Sequence, residues 1–268
     1  MFVDRAHLWI TTHLFEGDRI GWAMPSGRSV VINGDLGSGK STVSILLAKR
    51  LGIRRISVGD LYREMAQQRG MTALELNLHA ELDDKIDHYV DQLQADIATS
   101  GETLVVDSRL AWHFFKDALK VHLITDPHTA AHRVLGRPAD TVESYDSVAE
   151  AMKQLAERSE SERVRFLDRY GADKTKLTNY DLVCDSTRAT PDQIVDCVLE
   201  ALAEPRDEVR LHIDPQRIAT AEEGGGPVRL AYMRPDFHAV SGQTAVMAAA
   251  RDGQTLISAV LSNHPLSG

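Results

Sequence analysis

The sequence predicts an α/β protein: a five-stranded parallel sheet flanked by helices, followed by a small C-terminal α+β unit. Three observations carry the prediction. Short, wholly apolar runs rich in Val and Ile recur along the chain, separated by segments with helical periodicity. One of these runs leads straight into a glycine-rich loop with an amphipathic helix behind it. Beyond residue 203 the composition shifts to linker and turn residues. Buried parallel strands joined by right-handed helical crossovers satisfy the first two observations together.

Residues 1–28 hold an amphipathic piece from Leu8 to Phe15 and a Pro25-Ser26-Gly27 break, and are expected to pack on the main domain. Ser29–Asn33 reads as a buried strand. Val43, Leu46, Leu47 and Leu51 then mark one face of a helix closed by Gly52. Further strands are expected at Arg55–Val58, Thr103–Val106, Lys120–Ile124 and Asp181–Cys184. Between them run helical stripes such as Leu82, Ile86, Tyr89, Val90, Leu93 and Ile97. The last helix of the set has Thr190 as N-cap and Pro191 in its first turn, and buries Ile194, Val195, Val198, Leu199 and Leu202. This closes a domain over residues 29–203. Glu204-Pro205-Arg206-Asp207 and Gly224–Gly226 are linker or turn signals, which place a boundary near residue 204.

At 268 residues the chain is long enough to bury a full α/β core and a small second unit. Its formal charge of -9 excludes a general nucleic-acid binder, which needs a basic face. No apolar run reaches the ~18 residues of a membrane span, and the N-terminus lacks a signal-type pattern. Cys184 and Cys197 have no metal-like spacing and are expected to be packing residues in a reducing compartment. His128 and His132 are four residues apart without a third ligand nearby, as on a solvated helix face. The expected location is the cytoplasm, with neither nucleic acid nor membrane as partner.

The loop after the first strand, Gly34-Asp35-Leu36-Gly37-Ser38-Gly39-Lys40-Ser41-Thr42, has the spacing of a phosphate loop. Clustered negative charge must be bound without bulk, so glycines let backbone N–H groups converge while the following helix adds its positive end. Gly34, Gly37, Ser38, Gly39, Lys40, Ser41 and Thr42 are therefore the candidate set for binding a triphosphate, in a loop that kinases share with GTPases, ATPases and motor domains. Lys40 reaches the β- and γ-phosphates, and the Ser41 hydroxyl serves Mg²⁺.

A phosphate loop does not itself name the acceptor of a phosphoryl group. After the second strand come Ser57, Asp60 and Arg63, and the third strand ends in Asp107-Ser108-Arg109. Asp107 is placed to orient the Mg²⁺ shell. Arg63 and Arg109 lie at the carboxyl ends of strands, where ligands bind in such sheets and where a planar fork grips a phosphate twice. Surface ion pairing is their alternative use. Arg133 and Arg137 follow the fourth strand, and a long polar helix carries Arg158, Arg163, Arg165 and Arg169 among Glu157, Glu160 and Glu162. Together they have the character of a cationic lid, with Lys40, Arg133, Arg137, Arg158 and Arg163 as the candidate catalytic set. Pairing between neighbours on a solvated helix is the alternative for any one of them.

In order, Gly34 to Ser41, Ser57 to Arg63, Arg69-Gly70-Met71, Ile86-Asp87, Asp107-Ser108-Arg109, Glu160-Ser161-Glu162-Arg163, Tyr170-Gly171 and Tyr180 to Val183 resemble the cytidylate kinase-like nucleoside monophosphate kinases, especially the short archaeal form. The resemblance covers about residues 29–203. It implies ATP-dependent phosphoryl transfer to CMP or dCMP, with Mg²⁺. It implies also that Arg63 and Arg109 hold the acceptor phosphate and that Asp87 lies near the sugar or base. The chain departs from the family after the third strand, where a small Gly-Arg pair is usual and this chain has Asp107-Ser108-Arg109. Leu110–Phe115 is either an aromatic wall for the base or core. Two other readings of the same loop are a kinase for a small metabolite of a specialised pathway and an ATP-responsive regulator acting through the tail.

The C-terminal stretches Leu211–Ile218 and Phe237–Leu261 resemble fragments of the ParB/sulfiredoxin-like fold. Members of that fold commonly carry an arginine three residues after a glycine at a phosphate-binding helix start. Here Gly242 is followed by Gln243, Thr244 and Ala245. The expectation for residues 204–268 is a non-catalytic unit that leans on the first domain and serves a homo-oligomer or protein partner.

Overall fold

The computed structural model describes residues 27–71, 85–136, 145–220 and 224–262. The expected apolar runs form β1 (Val30–Gly34), β2 (Arg55–Ser57), β3 (Val105–Asp107), β4 (Leu119–Ile124) and β5 (Leu182–Asp185). All are parallel, in the order β2-β3-β1-β4-β5. Val30 and Ile32 of β1 pack with Val43, Leu47 and Val195 on one face, while Val31 packs with Val106, Phe166 and Val183 on the other. Burial on both faces is why these strands read as continuous apolar runs rather than alternating ones.

Helix α1 (Lys40–Leu51) starts behind Gly39 and stops at Gly52, both in the left-handed region. Then follow α2 (Val58–Gln68), α3 (Lys85–Thr99), α4 (Ala111–Phe114), α5 (Pro127–Leu135), α6 (Val148–Tyr170) and α7 (Pro191–Ala203). The Thr190 hydroxyl accepts from Gln193 N–H and the Gln193 side chain answers to Thr190 N–H, closing a capping box at the start of α7. In α4, Trp112 is buried and meets Tyr180 edge-on at 5.5 Å, and Phe115 just beyond it is buried too. This aromatic run is core.

The tail departs from expectation in one respect. It does not build a sheet of its own. Strand β6 (Arg210–Ile213) pairs parallel to β5, so the parallel set has six strands rather than five. The sheet continues through β10 (Ile257–Leu261), β8 (Arg229–Met233), β9 (Asp236–Ser241) and β7 (Ile218–Ala219) to ten strands in all. The physical reason is the bare edge that β5 would otherwise present, which Leu211 and Ile213, both fully buried, cover. Helix α8 (Gln243–Arg251) begins behind Gly242, whose φ of 76° and whose approach to Val228, 2.8 Å from an added Cβ, require glycine.

Two ion pairs fasten the tail to the end of β5 and the loop after it. Arg188 grips Asp214 through two hydrogen bonds of 2.6 and 2.7 Å, and Arg217 donates to Asp185 at 2.8 Å. Both carboxylates are essentially out of solvent. Among the described residues no helix is long and apolar enough to cross a membrane, and no group of three or more His, Cys, Asp or Glu side chains could hold a metal ion.

Candidate active site

The phosphate loop sits between β1 and α1, and crowding forces two of its glycines, Gly34 and Gly37. A Cβ on Gly34 would stand 2.5 Å from the Leu123 carbonyl oxygen, and one on Gly37 would stand 2.8 Å from Ala130. Ser38 is buried, and its hydroxyl donates to the Asp35 carbonyl at 2.7 Å, holding the turn. Lys40, Ser41 and Thr42 fall in the first turn of α1, with Ser41 and Thr42 exposed. Burial pushes the Lys40 ammonium down to about 8, aided by Arg109 and opposed by Asp107, Glu162 and Asp35. One lysine thus feels the phosphate loop, the end of β3 and helix α6 at once.

Arg55, at the start of β2, ties the acceptor side together. Its guanidinium donates to Asp107 at 2.8 Å, Asp60 at 3.0 Å and the Ser44 hydroxyl at 2.7 Å. The Ser57 hydroxyl accepts from Asp60 N–H at 3.2 Å, so Ser57 caps α2, while the Asp60 carboxylate faces Arg55. Asp107 is buried, with one oxygen, Oδ2, engaged by Arg55 and Ser44.

Glu162 of α6 is the electrostatic centre of the other wall. It is 6% exposed and gathers Arg109, Lys174 at 3.0 Å and Arg158 at 3.6 Å. Burial alone would raise its pKa. The three cations outweigh burial and hold it below the usual carboxylate range. Arg158 and Arg109 are therefore brought together through one carboxylate. Arg163 turns instead to Glu160 at 2.7 Å and Asp173 at 3.5 Å. Arg133 reaches the Ser186 carbonyl at 2.6 Å and the Gly37 carbonyl at 3.5 Å, bridging the loop after β5 to the phosphate loop. Its pKa is lowered by burial and supported by Asp185.

The Arg63 and Asp87 side chains, and Arg137 altogether, lie outside the described residues. Arg55, Lys174 and the central part of Glu162 were not evident from the sequence as functional groups. Arg55 and Lys174 belong to no recognisable motif, and Glu162 is one of several acidic residues on a polar helix.

Residues 30–165 match the AAA_18 family, an AAA domain. The cytidylate kinase of Natronomonas pharaonis is 38% identical over 184 residues, spanning 67% of this chain and 93% of that protein. The chain belongs to the cytidylate kinase family. A second member, from Pyrococcus furiosus, is 36% identical over 194 residues, covering 72% of this chain and 93% of its own length. An uncharacterised protein from Eubacterium ventriosum shares the fold, with a TM-score of 0.52 at 17% identity over 67% of this chain and 99% of that one.

Proposed function

We propose that the protein transfers the γ-phosphoryl group of ATP to CMP or dCMP, in the cytoplasm. The observation that carries this reading is the identity of 36–38% with cytidylate kinases along 93% of their own length. The crevice supplies the chemistry. Backbone N–H groups of residues 37–42 and the N-terminal end of α1 bind the donor phosphates, and Lys40 neutralises charge on the transferring group. Arg109 holds the acceptor phosphate, with Arg63 as its expected companion. Glu162 fixes the direction of the Arg109 fork and keeps Arg158 beside it. An acceptor phosphate oxygen bonds to the γ-phosphorus as the bond to the β-bridging oxygen breaks, and the cations around Lys40 stabilise the spread charge.

The oxygen donors fit Mg²⁺. Ser41 presents an exposed hydroxyl in the first turn of α1, and Asp107 holds one carboxylate oxygen in Arg55 and Ser44 while the other stays available for the metal's water shell. Bound there, the ion would neutralise charge shared by the β- and γ-phosphates. Arg133 positions the phosphate loop against the loop after β5, and Arg163 fastens α6 to the turn at Asp173. Asp87 serves the sugar or base. Residues 204–268 carry no step of the transfer, because the ParB/sulfiredoxin-like stretch at Gly242–Ala245 lacks the arginine of that phosphate site.

The test is product identity. Incubation with Mg·ATP and CMP or dCMP should yield CDP or dCDP and ADP in equal amounts by phosphorus NMR. ATP hydrolysis without either diphosphate would reject the assignment.

A further inference from the structure

A cavity of about 410 Å³ lies where the tail meets the kinase core, on the sheet face opposite α1. Small-molecule sites span roughly 300 to 1,000 Å³, so it has ligand size. It borders the start of the phosphate loop without reaching the helix end of that loop. Lys40, Ser41, Asp107 and Arg109 do not line it, and the loop contributes only Gly34, Asp35 and Leu36. The kinase elements β4, α5 and α6 form one side. The β8–β9 hairpin of the tail closes the other, with Tyr232, Arg234 and Phe237. Without the tail this space would be an open cleft between β4 and α6.

Its lining is mixed in a specific way. Tyr232 and Phe237 stand 4.8 Å apart with their rings inclined by 34°, giving an aromatic wall opposite Met152 and Leu155. Lys174, Arg217 and Arg234 reach the cavity from three separate segments, against the carboxylates Asp35 and Glu160. Arg217 uses Nη1 for Asp185 and Thr187, while its Nε and Nη2 donate to no group among the described residues. The Tyr232 hydroxyl likewise has no partner among them. Burial pushes that phenol up to about 12, so it remains a donor at neutral pH. Arg234 meets Glu160 only at 3.6 Å. A planar ring fits the aromatic wall, and a phosphate fits the spare donors of Arg217, Arg234 and Tyr232.

We propose that this cavity is a second nucleotide site, formed jointly by the kinase core and the tail, that regulates phosphoryl transfer. Lys174 supplies the coupling. It lines the cavity and also pairs with Glu162 at 3.0 Å, the carboxylate that orients Arg109. A phosphate in the cavity competes with Glu162 for Lys174, so occupancy changes how Arg109 is held and hence the apparent KM for the acceptor. A bound nucleotide can shift activity only through such a differential contact. The inference goes beyond the acceptor assignment and does not depend on the base that the transfer site prefers.

The test is equilibrium dialysis of the full chain with the transfer site saturated by CMP and a non-hydrolysable ATP analogue. Labelled CTP, UTP and GTP are offered in turn, and a fourth arm counts the labelled ATP analogue alone. The expected result is one additional nucleotide per chain in at least one arm. Tyr232→Ala should weaken it roughly tenfold or more, as loss of a base-stacking ring does. Arg234→Ala, at a half-exposed side chain that leaves the core packing intact, should also weaken it. Both variants should retain CDP formation in the absence of added nucleotide. No binding beyond one donor and one acceptor per chain in any arm overturns the proposal, as does extra binding that neither substitution weakens. Neither result bears on CDP formation, which is measured separately.

Discussion

Glu162→Gln removes one charge from the centre of the site and preserves its shape. The carboxylate is nearly inaccessible, and three cations, Arg109, Lys174 and Arg158, share it. Breaking a buried ion pair by neutralising one partner costs about 3–5 kcal/mol, since the remaining charge loses its counter-ion in a dry setting. Arg109 and Arg158 are each 36% exposed at the side chain and recover part of that loss by solvation. Lys174, at 12%, does not. The lower bound, about 3 kcal/mol, is therefore the expected loss. At roughly 2–4 °C per kcal/mol for a domain of this size, Tm should fall by about 6–12 °C in calorimetry of the ligand-free protein. The same substitution removes a charge that raises the Lys40 pKa, so the ammonium should titrate below about 8 in the variant. A Tm within about 2 °C of wild type, together with an unmoved pH profile for ATP binding, would refute the assignment of Glu162 as the counter-charge of the crevice.

Lys40→Ala should cut turnover by roughly 10²-fold or more, as loss of one strong electrostatic stabiliser does, whereas Arg109→Ala should chiefly raise the KM for CMP with ATP binding retained; steady-state kinetics separate the two. Lys40, lowered by burial to about 8, should lose its charge as pH rises, so ATP affinity measured by calorimetry should weaken by about tenfold between pH 8 and pH 9.5 and stay flat below pH 7. For the ligand-free protein the sign reverses: the unfolded lysine binds its proton up to 10.5 and the folded one only to about 8, so the contribution of Lys40 to stability grows across that window as pH rises. Asp214→Asn should weaken the paired grip of Arg188 and destabilise the full chain by about 1–3 kcal/mol in urea unfolding, since Asp214 is buried and charge-assisted hydrogen bonds are lost.

Much of this architecture was legible in the sequence because both faces of the sheet are buried. Val30, Val31 and Ile32 announce a strand without reference to anything distant, and Gly39, Lys40 and the stripe from Val43 to Leu51 announce the helix behind it. The capping box at Thr190 and Gln193 is equally local. The sixth parallel strand was not legible. Arg210–Ile213 is short, and its place beside β5 depends on covering an edge that belongs to residues some thirty positions earlier. The site divides in the same way. The phosphate loop is a contiguous pattern and can be read directly. The Arg55 bridge to Asp60 and Asp107, and the convergence of Arg109, Arg158 and Lys174 on Glu162, join residues as far as 53 positions apart. In the sequence Glu162 looks like one more carboxylate on a solvated helix, and only its burial sets it apart. Arg163, in the same motif, faces Glu160 and Asp173 instead, because a helix sends neighbouring residues about 100° apart.

The most direct test of the central claim is a comparison of kcat/KM across nucleoside monophosphates with saturating Mg·ATP, read by ADP release and by recovery of the diphosphate. The account predicts that CMP or dCMP exceeds AMP, GMP and UMP, and that Arg109→Ala lowers kcat/KM for the preferred acceptor far more than it lowers the acceptor-independent hydrolysis of ATP. Equal rates with and without every monophosphate, from a folded protein that binds ATP, would contradict it.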